Sequence, residues 1–251
     1  MEIVKFVLNP LQENTYLVWD STGECVIIDA GNASAKEDRM LSDFIAEKGL
    51  KPVLAVNTHG HFDHAMGVQY IKDTYGVPFA LSSADKGLVE QGVAHAMMFG
   101  VDTPNMPSDI EVDLATTDVV RFGDTELKVI PTPGHTPGGV ALYNEKEGVL
   151  FTGDTLFKGS IGRTDLPGGD YTALMNSILS NIIPLGDEVK VYPGHGDSST
   201  IGQESLYNPF VTEALNGEVN YKRQCGSGRW SYRDRWAGWS GSRSGQQRCW
   251  R

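Results

Sequence analysis

His59-Gly60-His61-Phe62-Asp63-His64 places three histidines and an aspartate within six residues. Neither core packing nor a solvated face calls for that density of ligand-type side chains, and the cluster reads as a metal site. The apolar run Val53-Leu54-Ala55-Val56 leads into it, and a segment with helical spacing follows. In extended backbone, side chains two apart point the same way, so His59 and His61 can grip one ion, with Gly60 allowing a tight turn of chain between them. Asp63 and His64 fall where the helix begins and the chain changes direction. They face a different point in space and suit a second ion nearby.

Moving outward, the other ligand types stand in similar places. His135 lies in Pro133-Gly134-His135-Thr136-Pro137, His195 in Pro193-Gly194-His195-Gly196, and Asp154 in Thr152-Gly153-Asp154-Thr155. Each follows an apolar run: Val129-Ile130, Val189-Lys190-Val191-Tyr192 and Val149-Leu150-Phe151 respectively. With the first motif, four strands deliver a ligand type at their carboxyl ends, where α/β folds build their sites. A carboxylate such as Asp154 is the natural bridge between two ions about 3.5–4 Å apart, a spacing that orients a substrate oxygen and activates a water. Of the six histidines only His95 lies outside these motifs, and it reads as a structural or surface residue.

Apolar runs rich in Ile, Val, Phe and Tyr, separated by turn residues, predict strands near residues 1–8, 14–19, 25–30, 53–56, 77–81, 119–122, 126–131, 139–143, 149–153 and 189–192. Helical spacing predicts helices over residues 35–48, 63–75, 83–93 and 171–183. Residues 94–113 read as an irregular loop with a turn of helix, lying over the site. The class is α/β with mixed sheets rather than regular βαβ winding.

Composition limits the partners. The formal net charge is −11, but seven arginines and one aspartate give residues 223–251 a charge of +6, so the first 222 residues carry −17. An acidic body of this kind repels nucleic acid and anionic membranes. No apolar run approaches the ~20 residues that span a bilayer. The N-terminus reads as a strand rather than a signal peptide, and Cys25 sits in an apolar run as a small hydrophobe, so the expected location is the cytoplasm. Residues 1–216 are expected to form the domain. Residues 217–251, rich in Arg, Gly, Trp and Ser, are expected to be a low-complexity tail, disordered or non-native.

These motifs resemble the metallo-β-lactamase superfamily, whose hallmark is His-x-His-x-Asp-His, and more closely its glyoxalase II-like branch, the hydroxyacylglutathione hydrolases. Residues 58–67, 133–138, 152–157, 162–170 and 193–210 carry the resemblance, which covers about residues 1–215. It implies a four-layer αβ/βα sandwich of two mixed β-sheets flanked by helices. It implies His59, His61 and His135 on one metal, Asp63, His64 and His195 on the other, and Asp154 bridging, with Asp63 and Asp154 as the catalytic carboxylates. Two divalent ions are expected, zinc first, with iron or manganese as alternatives. Zinc β-lactamases carry other ligands at the position of Asp154, which reads against antibiotic hydrolysis, and His61 replaces the Glu of the flavo-diiron branch. Glyoxalase II proper carries a C-terminal helical domain that holds glutathione. The recognisable sequence here stops soon after Asn208-Pro209-Phe210, like the short bacterial form.

The expected activity is hydrolysis of a small-molecule thioester, an S-acyl thiol, by a metal-bridging hydroxide. Asp63 orients the nucleophile, and no Ser or Cys nucleophile is needed. Arg163 pairs either with a substrate carboxylate or with an acid in its own loop. The rivals are a persulfide dioxygenase-like mononuclear iron enzyme, against which His195 argues, and a lactonase. RNA-processing nucleases share the first motif, but the acidic body speaks against them.

Overall fold

The chain is a computed structural model that describes residues 1–101, 106–107 and 109–225, with side chains through residue 217. Strands β1 (Glu2–Leu8), β2 (Glu13–Trp19) and β3 (Glu24–Ile28) open the fold, followed by helix α1 (Ala35–Lys48) and β4 (Lys51–Val56). Short helices α2 (Phe62–Ala65) and α3 (Val68–Tyr75) lead to β5 (Phe79–Leu81), a 3-10 turn at Ser83–Asp85, and helices α4 (Lys86–Glu90) and α5 (Gly92–Met98). Next come β6 (Val112–Asp113), β7 (Val119–Phe122), β8 (Thr125–Pro131), β9 (Val140–Asn144), β10 (Val149–Gly153) and the small hairpin β11 (Leu156–Phe157) and β12 (Ser160–Ile161). The last elements are α6 (Tyr171–Ser177), β13 (Lys190–Pro193), β14 (Ser199–Thr200), α7 (Ile201–Tyr207) and α8 (Pro209–Cys225).

Strands β1 to β6 form one sheet in sequence order, antiparallel for the first three and parallel for the rest. The second sheet runs β14-β13-β10-β9-β8-β7, antiparallel except where β13 pairs with β10. Alternation along the central strands explains the layering. Val26 and Ile28 of β3 pack with Val149 and Phe151 of β10 between the sheets, whereas Cys25 and Ile27 face the opposite way. Leu41, Ile45, Val68 and Ile71 of α1 and α3 cover that outer face. Leu150 of β10 faces the other outer layer, where Leu174, Ile201 and Val211 bring α6, α7 and α8 against the second sheet. Strands buried on both faces read as continuous apolar runs, and the sum is the expected four-layer αβ/βα sandwich of two mixed sheets.

Helix α1 occupies the expected residues because both ends carry local signals. Ser34 accepts a hydrogen bond from the Glu37 amide, and Gly49 closes the helix in the left-handed region at φ 62°. The helix expected over 63–75 is instead broken between α2 and α3. The Gly67 amide donates to the Ala30 carbonyl at 2.8 Å, and Asn32 packs so closely that a Cβ on Gly67 would lie 1.7 Å from its Oδ1. The helix expected over 83–93 divides into the 3-10 turn, α4 and α5, and α5 runs into the stretch expected to be irregular. After α6 the chain stays helical but changes winding, to a π turn at Ile178–Ile182 and a 3-10 turn at Ile183–Leu185 that contains Pro184. Helices α7 and α8 were not expected, and α8 continues through Cys225, across the boundary expected after residue 216. The rest of the expected tail lies outside the described residues. Among the described residues no helix is long and apolar enough to cross a membrane.

Asp20, just after β2, ties the two sheets of the sandwich together. Its carboxylate accepts from the Thr22 amide and hydroxyl, and across the sandwich from the Asp124 amide and the Thr125 hydroxyl at 2.7 and 2.9 Å. Burial is the largest single influence and opposes ionisation, but the donors together outweigh it and hold the carboxyl down at about 2, against its usual 3.8. Its contribution is therefore complete above about pH 4 and fades as the pH falls toward 2. Asp20→Ala is expected to cost about 1–2 kcal/mol at pH 7, and urea unfolding at pH 7 and pH 3 should show the difference shrinking in acid.

Candidate metal centre

All seven expected ligand residues meet at one end of the sandwich. His59 follows β4, His61 occupies the position before the first residue of α2, and Asp63 and His64 lie within that helix. His135 follows β8, Asp154 follows β10 and His195 follows β13. The rings of His59, His61 and His135 have centroids 4.6–4.9 Å apart, and one donor atom from each lies within 4.8 Å of the others. Asp63, His64 and His195 form a second such group, with His195 Nε2 3.3 Å from both Asp63 Oδ2 and His64 Nε2. Asp154 stands between the two groups: Oδ1 lies 3.5 Å from His64 Nε2, and Oδ2 lies 3.5 Å from His135 Nε2 and 3.7 Å from His195 Nε2.

The ring orientations are set from behind. His135 Nδ1 donates to the Arg163 carbonyl at 2.8 Å, and His195 Nδ1 to the Gln12 carbonyl at 3.3 Å. The Thr58 hydroxyl donates to Asp29 Oδ2 and so accepts from His59 Nδ1 at 3.1 Å, while His64 Nδ1 lies 3.2 Å from the same Asp29 oxygen. With Nδ1 hydrogen-bonded on His59, His135 and His195 and facing Asp29 on His64, Nε2 of each ring is left for the cluster, the arrangement that outer partners impose on metal-bound imidazoles. His59 Nε2, His135 Nε2 and Asp154 Oδ1 are buried without any hydrogen-bond partner. Buried polar atoms are ordinarily satisfied, so orphaned atoms of ligand type converging on one volume fit a pair of divalent ions.

Electrostatics point the same way. Burial, then the neighbouring rings, pushes His59 well below the ordinary histidine value, and burial takes His61 down to about 4, so both stay neutral and able to ligate. Burial would lower His64 too, but Asp154, Asp63 and Asp29 together hold it well above its ordinary value. Asp63 is raised by burial yet held well below the usual carboxylate range by His64 and His195. No lysine or arginine pairs with these carboxylates among the described residues, so the site is a negative field answered only by imidazoles.

Several residues that serve the site escaped the sequence reading. Asp29 lies within the strand expected over residues 25–30, just past the end of β3. It sits in the left-handed region at φ 53° with both oxygens accepting from Thr58, a strained conformation of the kind found at functional sites. Glu13 is fully buried 3.9 Å from His64 Nδ1, with Thr15 donating to its other oxygen. A charged residue within the buried strand β2 was the available signal. Gly194 makes room for the cluster: a Cβ there would lie 2.3 Å from Asp154 Oδ1 and 2.6 Å from His64 Cε1. Arg163 pairs with Asp165 in its own loop through two bonds of 2.8 Å. His95 is half-buried on α5 and enters none of these groups. His61, Asp154 and His195 are the half-buried members and mark the side open to solvent, where the Phe157 ring lies 6.3 Å from His195.

Known proteins share this design. The chain is 35% identical over 214 residues to the hydroxyacylglutathione hydrolase GloC of Haemophilus influenzae, covering 84% of this chain and 98% of that one. The crystal structure of the B3 metallo-β-lactamase BLEG-1 matches with a TM-score of 0.77 and 36% identity, covering 84% of this chain and all of that one. That of TTHA1623 in a di-iron-bound form matches with a TM-score of 0.74 and 37% identity, covering 82% and 99%. A sequence model of the metallo-beta-lactamase superfamily matches residues 8–195. The chain therefore belongs to the metallo-β-lactamase superfamily and is a metallo-hydrolase of that fold.

Proposed function

We propose that the protein is a binuclear metal-dependent hydrolase that cleaves thioesters, S-acyl adducts of a small thiol. The observation that carries this reading is the position of the Asp154 carboxylate, within 3.5 Å of His135 in one ligand group and within 3.5 and 3.7 Å of His64 and His195 in the other. His59, His61 and His135 would hold one ion, Asp63, His64 and His195 the other, and Asp154 both. When bound, such a pair supplies Lewis acidity for the scissile carbonyl and brings the pKa of a coordinated water toward neutrality. Asp63 stays ionised and orients the attacking water. The partly open edge at His61, Asp154 and His195 receives the substrate, and Phe157 offers an apolar wall beside it. No serine or cysteine is required, and Cys25 is fully buried with its thiol pushed up to about 12 by burial.

The name of the Haemophilus relative supports the thioester class, and the net charge of −17 over the first 222 residues suits a small-molecule substrate in the cytoplasm rather than nucleic acid. Zinc is the first choice of metal. The di-iron form of TTHA1623 keeps iron beside it, with manganese a third alternative. A β-lactam is the second substrate class to assay, because BLEG-1 shares the fold at 36% identity.

Purified protein is expected to carry two metal ions per chain by elemental analysis and to hydrolyse S-lactoylglutathione or a simpler acyl thioester. Chelation should abolish turnover and added metal restore it. One iron per chain with oxygen uptake on a persulfide, or turnover of β-lactams and lactones alone, would replace the proposal. His195→Ala is expected to leave one ion per chain and lower kcat/KM by more than about 100-fold; full activity in that variant sinks the two-ion mechanism.

A further inference from the structure

Strand β5 lies beside β4 in the first sheet, with Val56 opposite Ala80, so its carboxyl end opens next to the ligand loop that carries His59. The residue it delivers there is Asp85, at the end of the 3-10 turn. Asp85 is fully buried and occupies the position just before α4, yet its side chain does not cap that helix. Its carboxylate is used elsewhere. Oδ2 accepts from the Gly60 amide at 2.9 Å and the Thr136 hydroxyl at 2.7 Å, and Oδ1 accepts from the Gly138 amide at 2.6 Å.

The sequence positions of those donors are the point. Gly60 separates His59 from His61, and Thr136 and Gly138 follow His135 directly. One carboxylate thus joins the two loops that supply the three-histidine group, across sequence separations of 25, 51 and 53 residues. The packing is as specific as the bonding. A Cβ on Gly60 would lie 2.9 Å from Asp85 Cβ and 2.8 Å from its carbonyl oxygen, and a Cβ on Gly138 would lie 2.7 Å from Asp85 Cγ. Both glycines leave space that Asp85 fills. No lysine or arginine forms an ion pair with Asp85 among the described residues, and a buried carboxylate met only by neutral donors is maintained for the geometry it imposes.

We propose that Asp85 is the positioning residue of the first metal site: it fixes the separation between the His59/His61 pair and His135, and so sets the affinity of that site for a divalent ion. This rests on the two-ion reading of the centre but not on the identity of the substrate. The carboxylate is the fitting group because all three partners are donors. An amide at this position would turn its NH2 toward at least one of them, losing that bond and opposing two donors.

The test measures metal binding rather than turnover. In a His195→Ala background, where one ion remains, zinc affinity is titrated by competition with a chromophoric chelator, with far-UV circular dichroism reporting the fold. Adding Asp85→Asn is expected to weaken zinc binding by about 10- to 100-fold, the range for removal of an outer-shell partner, with the dichroism unchanged. A folded Asp85→Asn protein that binds zinc as tightly as its parent overturns the proposal. Should Asp85→Asn fail to fold, Thr136→Val and Thr136→Ser decide: a severalfold loss with Val that Ser restores supports the role, and equal affinities overturn it. If the parent binds no zinc, iron or manganese at all, the two-ion reading fails first, a result separate from either.

Discussion

Charge compensation is the constraint on which the rest of the structure depends. Glu13, Asp29, Asp63 and Asp154 crowd around His64, and none has a lysine or arginine to answer it among the described residues. Carboxylates taken out of water without countercharge cost several kcal/mol each. The field that pulls His64 upward against its own burial is the field a divalent cation answers, and a bound cation would reverse that local logic by displacing the ring proton. The two sheets, the strand ends and the close approach at Gly194 can be understood as a frame stiff enough to keep mutually repelling groups a few ångströms apart.

Much of this was readable in the chain. Strands buried on both faces show as uninterrupted apolar runs such as Cys25-Val26-Ile27-Ile28, and the ligand types follow the ends of such runs. The four layers and the grouping of His59, His61, His135, Asp63, His64, Asp154 and His195 follow from those two patterns with the family resemblance. What was not readable depends on pairing between distant segments. Asp29, Glu13 and Asp85 are single acids in unremarkable contexts. They acquire a role only when β2, β3 and β5 are brought into one sheet with β4. The break between α2 and α3 was hidden for the same reason, since the apolar spacing runs on while Gly67 turns its amide to Ala30. Helices α7 and α8 do carry local marks, Thr200 as a cap and Pro209 at the first turn.

The start of β2 works on both halves of the centre at once. Glu13 and Thr15 stand behind His64, while the Gln12 carbonyl receives His195 Nδ1 and the Asn14 amide donates to the Gly194 carbonyl at 2.7 Å. Asn14 Nδ2 and the Tyr16 hydroxyl hold the Pro193 carbonyl from the same strand, at 2.9 and 2.7 Å. The ligand loop of the second sheet is thereby sewn to the first sheet independently of any ion.

That seam has a thermodynamic corollary. An ion held by His64 and His195 closes a loop of 131 residues, and loop-closure entropy rises only slowly with length. In the unfolded chain such a closure is rare, whereas in the native fold the Gln12–Tyr16 seam has already met most of its entropic cost. Ions bound at the centre would act as rivets placed through plates that are already aligned. Metal bound there would add to a cohesion between the sheets that the seam already supplies, so the gain in stability would fall on the interface between the sheets rather than on either sheet alone.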